Sequence, residues 1–234
     1  RLNPMITHVI RGIPGSGKTV LAKMVGEDCA VRRMFPDGVF WLELGKNAPL
    51  ELLQRNIAVA LGEKPDAFPD VQSGKYTLSP LLANRSVLLI LNDVWTASQV
   101  SAFDMVNNQS RLLVTTRHQQ LVEHSSEYTL GVLEEDEGVT LFKRRLKLKT
   151  DEHDAVLRAI VQELRGHTLA IAIAAAFLDS IGVEKSATLL KDLQQPPERD
   201  NPFSILVLDD SESGIIDPEQ RNRNFELSLE LSYH

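Results

Sequence analysis

Apolar and polar positions along the 234-residue chain follow two different periodicities, and the change falls near Gly131. Before it, short apolar runs alternate with helical stretches. Thr7–Arg11 is an apolar strand that enters a glycine-rich segment, Gly12–Thr19, and Val20–Ala30 then reads as a helix. Gly38–Leu44, rich in β-formers and bounded by Pro36-Asp37-Gly38 and Gly45, predicts a second strand. Leu50, Leu53, Ile57 and Leu61 recur at helical spacing, so this helix should lay its stripe on a sheet. Residues 62–74 read as a surface loop, and a short helix is expected over Tyr76–Ala83. Val87–Leu91 is a continuous apolar run of the kind found in parallel strands buried on both faces, and it ends in Asn92-Asp93. A helix over Ala97–Val106 and a strand over Arg111–Arg117 complete the series.

Strands alternating with helices predict an α/β fold: a parallel sheet with helices on both faces and ligands at the carboxyl edge of the strands. After Gly131 the strand signals stop. Helices are expected over Glu134–Leu148, Asp151–Leu164, Leu169–Leu178 and Glu184–Leu193, which make a small helical domain over residues 132–195. Residues 196–234 open with Pro196, Pro197 and Pro202, as a linker does. At their end Phe225, Leu227, Leu229, Leu231 and Tyr233 alternate like a strand, while Phe225, Leu229 and Tyr233 also fit one helix face. The chain opens on Arg1 and stops inside a patterned segment, so it reads as a piece of something longer.

Composition narrows this picture by exclusion. The chain is 43% hydrophobic with 6% aromatics, an ordinary globular balance. A net charge of −7 argues against whole-surface attraction to nucleic acid or anionic lipid. The basic cluster Lys143, Arg144, Arg145, Lys147 and Lys149 has no aromatic platform beside it and reads as a solvated helix face before a nucleic-acid contact. Cys29 is the single cysteine and has no zinc-like spacing to any histidine, which fits a reducing, cytoplasmic compartment. The longest apolar run, Leu169–Leu178, is too short for a membrane span, which needs about eighteen residues.

The chemistry sits in three places. Gly12–Thr19 spells G-x-x-x-x-G-K-T between a strand and a helix, the setting a P-loop needs. Its glycines let backbone N–H groups face an anion, the helix adds its positive end, Lys18 reaches the β- and γ-phosphates, and the Thr19 hydroxyl ligates Mg²⁺. The candidate nucleotide contacts are Gly12, Pro14, Gly15, Ser16, Gly17, Lys18, Thr19 and Val20. A plain glycine turn lacks the flanking strand and helix found here. Asn92-Asp93 closes the apolar strand, where acidic or amide groups meet Mg²⁺ and the attacking water; Asp93 is the candidate base, and Thr19, Asn92 and Asp93 the candidate metal set. An asparagine carries no charge, so metal affinity and hydrolysis should both be weaker than with an aspartate. Arg117 closes a neighbouring strand and either reaches the terminal phosphate, acting in catalysis with Lys18 and Asp93, or is a solvated arginine. Gly166, Thr168 and Leu169 mark the end of one helix and the start of the next, whose N–H groups either meet a ligand or serve packing alone.

In order along the chain, these blocks resemble the NB-ARC, or STAND-class, signal-transduction ATPases: the switch module of plant disease-resistance proteins, of the apoptosome scaffold and of many bacterial regulators. The resemblance rests on Gly12–Thr19, Phe35–Trp41, Leu89–Trp95, Val114–Arg117, Arg165–Ala170 and Leu229–Tyr233. It implies a P-loop nucleotide-binding domain over residues 1–131, a helical domain over 132–195, and a linker with the start of a winged helix over 196–234. It further implies ADP held between the first two domains in a closed form, and exchange for ATP that opens the protein and permits homo-oligomerisation. Flanking effector and sensor domains would take up the signal. Two positions depart from the family pattern. Asn92 replaces its first Walker B aspartate, and Thr168 stands where its proline packs near adenine. The readings that compete with a switch are a turnover ATPase and a nucleotide-regulated DNA-binding regulator.

Overall fold

A computed structural model describes residues 6–64, 67–105, 109–123 and 125–194, so the winged-helix start expected at 196–234 lies outside the described residues. The chain divides into two compact units after Gly131.

The first unit is a five-stranded sheet in the order β2-β3-β4-β1-β5, with every neighbouring pair parallel. Its strands are β1 (Ile6–Gly12), β2 (Gly38–Glu43), β3 (Val87–Val94), β4 (Arg111–Thr116) and β5 (Ser126–Leu130). It is the P-loop NTPase fold. The unbroken apolar run of β3 has a simple cause: alternate side chains enter two separate cores. Leu89 and Leu91 join Val9, Leu112 and Val114 against α3 (Leu50–Ala60) and α4 (Val71–Leu82). Leu88 and Ile90 join Ile10 and Leu113 under α1 (Lys18–Glu27) and α2 (Cys29–Met34). Burial on both faces leaves no polar position to interrupt the run.

Four expectations change. The single helix over Val20–Ala30 breaks at Asp28, whose carboxylate accepts from the backbone N–H of Ala30 at 2.7 Å and Val31 at 3.0 Å and so caps a second helix. The loop expected up to Gly74 gives way earlier. Asp70 accepts from Ser73 N at 2.7 Å and starts α4 at Val71, and a side chain at Gly74 would come within 2.1 Å of Gln54 Oε1 on α3. The helix expected over Ala97–Val106 stops at Ser101 as α5 (Ala97–Ser101), because Phe103 and Met105 turn into the sheet core. β5 was not expected at all. It is an edge strand with four of five residues exposed, so it lacks the apolar alternation that marks a strand, and Arg11 of β1 holds it through Glu127 and Thr129.

The second unit contains α6 (Glu135–Arg145), α7 (Asp154–Glu163), α8 (Thr168–Ile181), a 3-10 turn (Val183–Lys185) and α9 (Ser186–Gln194). Phe142, Leu157, Ile160, Ala174, Leu178 and Leu189 form its core. Within the basic cluster, Lys143 pairs with Asp151 and with Asp154, the latter at 3.1 Å, while Leu146 and Leu148 pack on the core. No described helix is long and apolar enough to cross a membrane.

Candidate nucleotide and metal site

β1 ends on Gly12, where a side chain would sit 2.6 Å from the Leu130 carbonyl and 2.7 Å from Ser16 Oγ. Gly15 and Gly17 take φ of 73° and 96°, the left-handed region that carries the loop into α1. Gly17 is the N-cap of α1 and brings no capping side chain, so the first-turn N–H groups keep their capacity for an anion. Ser16 Oγ is buried and lacks a hydrogen-bond partner among the described residues, an unmet polar atom inside the loop. Pro14 is exposed at the crown of the loop, and Val20 is exposed on the first turn of α1. Lys18 curls over the same loop and donates Nζ–H to Gly12 O at 3.0 Å and Ile13 O at 2.8 Å. Burial and the neighbouring Arg117 guanidinium pull its ammonium below the usual lysine range, with the Asp93 carboxylate working against them.

At the strand ends a polar network meets this loop. Asn92 is 3% exposed. Its Oδ1 accepts from the hydroxyls of Thr19 at 3.0 Å and Thr115 at 2.7 Å, and its Nδ2 donates to Glu43 Oε1 at 2.7 Å. The amide oxygen therefore has both acceptor positions taken, and a metal-bound water there would have to displace a hydroxyl. Thr19 spends its proton on Asn92 and keeps its oxygen lone pairs for a cation. β3 extends through Asn92 and Asp93 instead of ending at Leu91, with its register to β4 disturbed between Leu91 and Val94. Asp93 has a φ of 54°, uncommon for a residue with a side chain, and its N–H donates to Thr115 Oγ1 at 2.9 Å. Trp95 Nε1 donates to Asp93 Oδ2 at 3.1 Å. The Arg117 guanidinium lies 3.6 Å from Asp93 Oδ1 and 4.7 Å from the centre of the Trp95 ring.

Thr19, Asn92, Asp93 and Arg117 are thus linked through Thr115 within the α/β unit, and the Lys18 ammonium lies within reach of the charges on Asp93 and Arg117. The donor set fits a nucleotide and its divalent cation: a cradle that only glycine can line, an unpaired buried hydroxyl, a lysine, a threonine oxygen and a carboxylate. Reading the sequence missed Glu43, Thr115 and Trp95. Glu43 could have been found as the polar residue closing β2 in register with Asn92.

Gly166, Thr168 and Leu169 belong to the helical unit. Arg165 and Gly166 both take left-handed φ, of 50° and 67°, so Arg165 occupies the first position past the end of α7 that the sequence reading gave to Gly166. A side chain at Gly166 would fall 2.2 Å from the Leu133 carbonyl. His167 Nδ1 accepts from Ala170 N at 3.3 Å and caps α8, Thr168 Oγ1 is buried without a hydrogen-bond partner among the described residues, and Leu169 packs on the helical core.

Comparison with known proteins decides the family. Residues 3–165 match the NB-ARC domain. The chain belongs to the NB-ARC family. It is 30% identical to apoptotic protease-activating factor 1 of Danio rerio over 202 residues, covering 79% of this chain and 16% of that protein. The human protein of the same name is 27% identical over 184 residues, 72% of this chain and 14% of its own length. A putative late blight resistance protein homologue of Solanum demissum is 29% identical over 147 residues, 58% of this chain and 13% of its length. This NB-ARC chain therefore spans about one sixth or less of the length of each of these three relatives. A STAND protein of Pyrococcus horikoshii with a tetratricopeptide repeat sensor shares the fold at TM-score 0.54 and 15% identity, over 74% of this chain and 28% of that one. The chain is accordingly a nucleotide-binding module of the NB-ARC type.

Proposed function

We propose that this NB-ARC chain is the ADP/ATP switch module of a larger cytoplasmic signalling protein, in which nucleotide exchange sets conformation and hydrolysis is slow or absent. One observation carries the reading. The strand end that faces the P-loop presents a neutral Asn92 whose oxygen is engaged by Thr19 and Thr115, so the site holds a nucleotide better than it turns one over. In this reading Lys18 leaves the loop carbonyls for the β-phosphate. The N–H groups of the loop and of the first turn of α1, around Pro14, Ser16 and Val20, bind phosphate oxygens. Thr19 and Asp93 hold Mg²⁺, which would neutralise phosphate charge when bound, and Asn92 orients Thr19. Arg117, stacked on Trp95, reports the terminal phosphate. The helical domain, residues 132–195, carries Gly166, Thr168 and Leu169 where α7 ends and α8 begins. ATP favours a homo-oligomer, and flanking effector and sensor domains supply and receive the signal.

A turnover ATPase is the second reading. It is favoured by Asp93, whose two oxygens are oriented by Trp95 and Arg117 as a water-positioning group needs. The test is the nucleotide released when the purified protein is denatured, together with the melting shift on adding ADP. ADP at 100 times its dissociation constant should stabilise the parent by about 2.7 kcal/mol, and Lys18→Ala should abolish that shift. An unchanged ADP-dependent shift in Lys18→Ala removes this loop as the site, and multiple-turnover hydrolysis with no retained ADP favours the ATPase.

A further inference from the structure

The α/β unit holds a carboxylate that the phosphate loop does not require. Glu43 closes β2, and the parallel register sets it beside Asn92 of β3. Both of its oxygens are engaged. Oε1 accepts from the Asn92 amide at 2.7 Å and Oε2 from the Trp41 indole N–H at 3.1 Å. A carboxylate only accepts, so the group of Asn92 that faces Glu43 must be its NH₂, and the amide oxygen is thereby turned toward Thr19. Donation from an amide to an ionised acceptor is a charge-assisted bond, and it polarises the amide so that negative charge builds on the oxygen at its other end. A chain of contacts therefore runs from a full negative charge on β2, through a neutral amide on β3, to the hydroxyl that begins α1.

We propose that Glu43 is a second acidic group of this metal half-site beside Asp93: from the neighbouring strand, and through Asn92, it supplies the negative charge that asparagine lacks, and so couples Mg²⁺ to nucleotide binding. This rests on the nucleotide-switch reading above. Glu43 is a positioning residue, since its contacts are Asn92 and Trp41. Moving the charge one strand outward leaves metal coupling in place while Asp93 stays the single carboxylate at the reacting end of the site among the described residues. A switch that retains its nucleotide but hydrolyses it poorly needs that combination.

The test is calorimetric titration of ADP into the parent protein, E43Q and the E43Q/N92D double variant, each with Mg²⁺ and with EDTA. Glutamine keeps an acceptor oxygen for Asn92, so E43Q removes the charge and retains the bond. The parent should bind ADP more tightly with Mg²⁺ than with EDTA. E43Q should lose about tenfold of that gain, the scale of one solvent-screened charge pair, and keep its affinity in EDTA. The double variant, with the charge moved to β3, should recover the gain. An E43Q protein with the parental Mg²⁺ gain overturns the proposal, as does a double variant that fails to recover it, since Glu43 would then act only as structure. A parent that binds ADP equally well in both solutions overturns it too. A parent that binds no ADP in either solution defeats the nucleotide reading as well, which separates the two failures.

Discussion

The two units differ most in what they bury. In the α/β unit eight polar side chains are buried among the described residues, from Thr7 to Thr116, against two in the helical unit, His167 and Ser186. Those two stand at the starts of α8 and α9, and His167 caps the first of these helices. The eight are distributed differently. Gln54, Gln99 and Ser110 tie loops to helices or strands, whereas Ser16, Asn92 and Thr115 gather where the phosphate loop meets the strand ends. A buried polar group is tolerated when it is bonded or when it awaits a ligand, and this unit has both kinds in one place. The helical unit is an apolar body around Phe142 and Leu157, to which Gly166 and Thr168 add one polar corner.

The strongest test of that division is a cavity in the apolar body. Phe142 is fully buried among the helices, and Phe142→Ala should destabilise by about 3–5 kcal/mol. Because the two units have separate cores, the loss should appear in the amide exchange of α6, α7 and α8 and spare β1, β3 and β4. Equal loss of protection in both would show one cooperative body and break the contrast.

The same contrast explains what could be read from the sequence. Strands β1 to β4 were legible because burial on one or both faces writes a run or an alternation into the chain, and the P-loop because its glycines, lysine and threonine are adjacent in sequence. β5 was not legible, since an exposed edge strand held by Arg11 leaves no hydrophobic period. Asp28 broke a helix through a local bond that competes with the periodic signal. The site was half legible for a related reason. Asn92, Asp93 and Arg117 were legible as polar residues following apolar runs, but the bonds from Asn92 to Glu43 and to Thr115 span 49 and 23 residues and depend on register. The winged-helix start expected at 196–234 lies outside the described residues.

A smaller effect is expected where the polar unit reads the nucleotide. The Arg117 Cζ lies over the Trp95 ring, 4.7 Å from its centre, a cation–π contact that holds the guanidinium at the strand ends. Arg117→Ala should weaken ATP more than ADP by about 1.5–3 kcal/mol, the worth of a charge-assisted contact. Calorimetric titration of both nucleotides decides it; equal losses would mean that Arg117 serves Asp93 and Trp95 and does not sense the terminal phosphate.

The smallest effect goes deepest into the contrast, because it asks whether the polar network tolerates a second charge. Asn92→Asp exchanges the Nδ2 donor, now 2.7 Å from Glu43 Oε1, for a carboxylate oxygen facing a carboxylate. A hydrogen bond becomes a repulsion. Glu43 is exposed and can swing toward water, so without metal the cost should be limited to about 1 kcal/mol, seen as a lower melting temperature. With Mg²⁺ the sign reverses, since a cation relieves the repulsion between the two carboxylates. ATP affinity should then depend more steeply on Mg²⁺, and the ATPase rate should rise above the parent's as charge reaches the reacting end of the site. Adding Glu43→Gln to Asn92→Asp should restore the metal-free stability, because glutamine can again donate across the strand pair. If Asn92→Asp instead melts with the parent in EDTA and matches its turnover in Mg²⁺, the asparagine is a neutral replacement, and the polar network of the α/β unit plays no part in setting the switch.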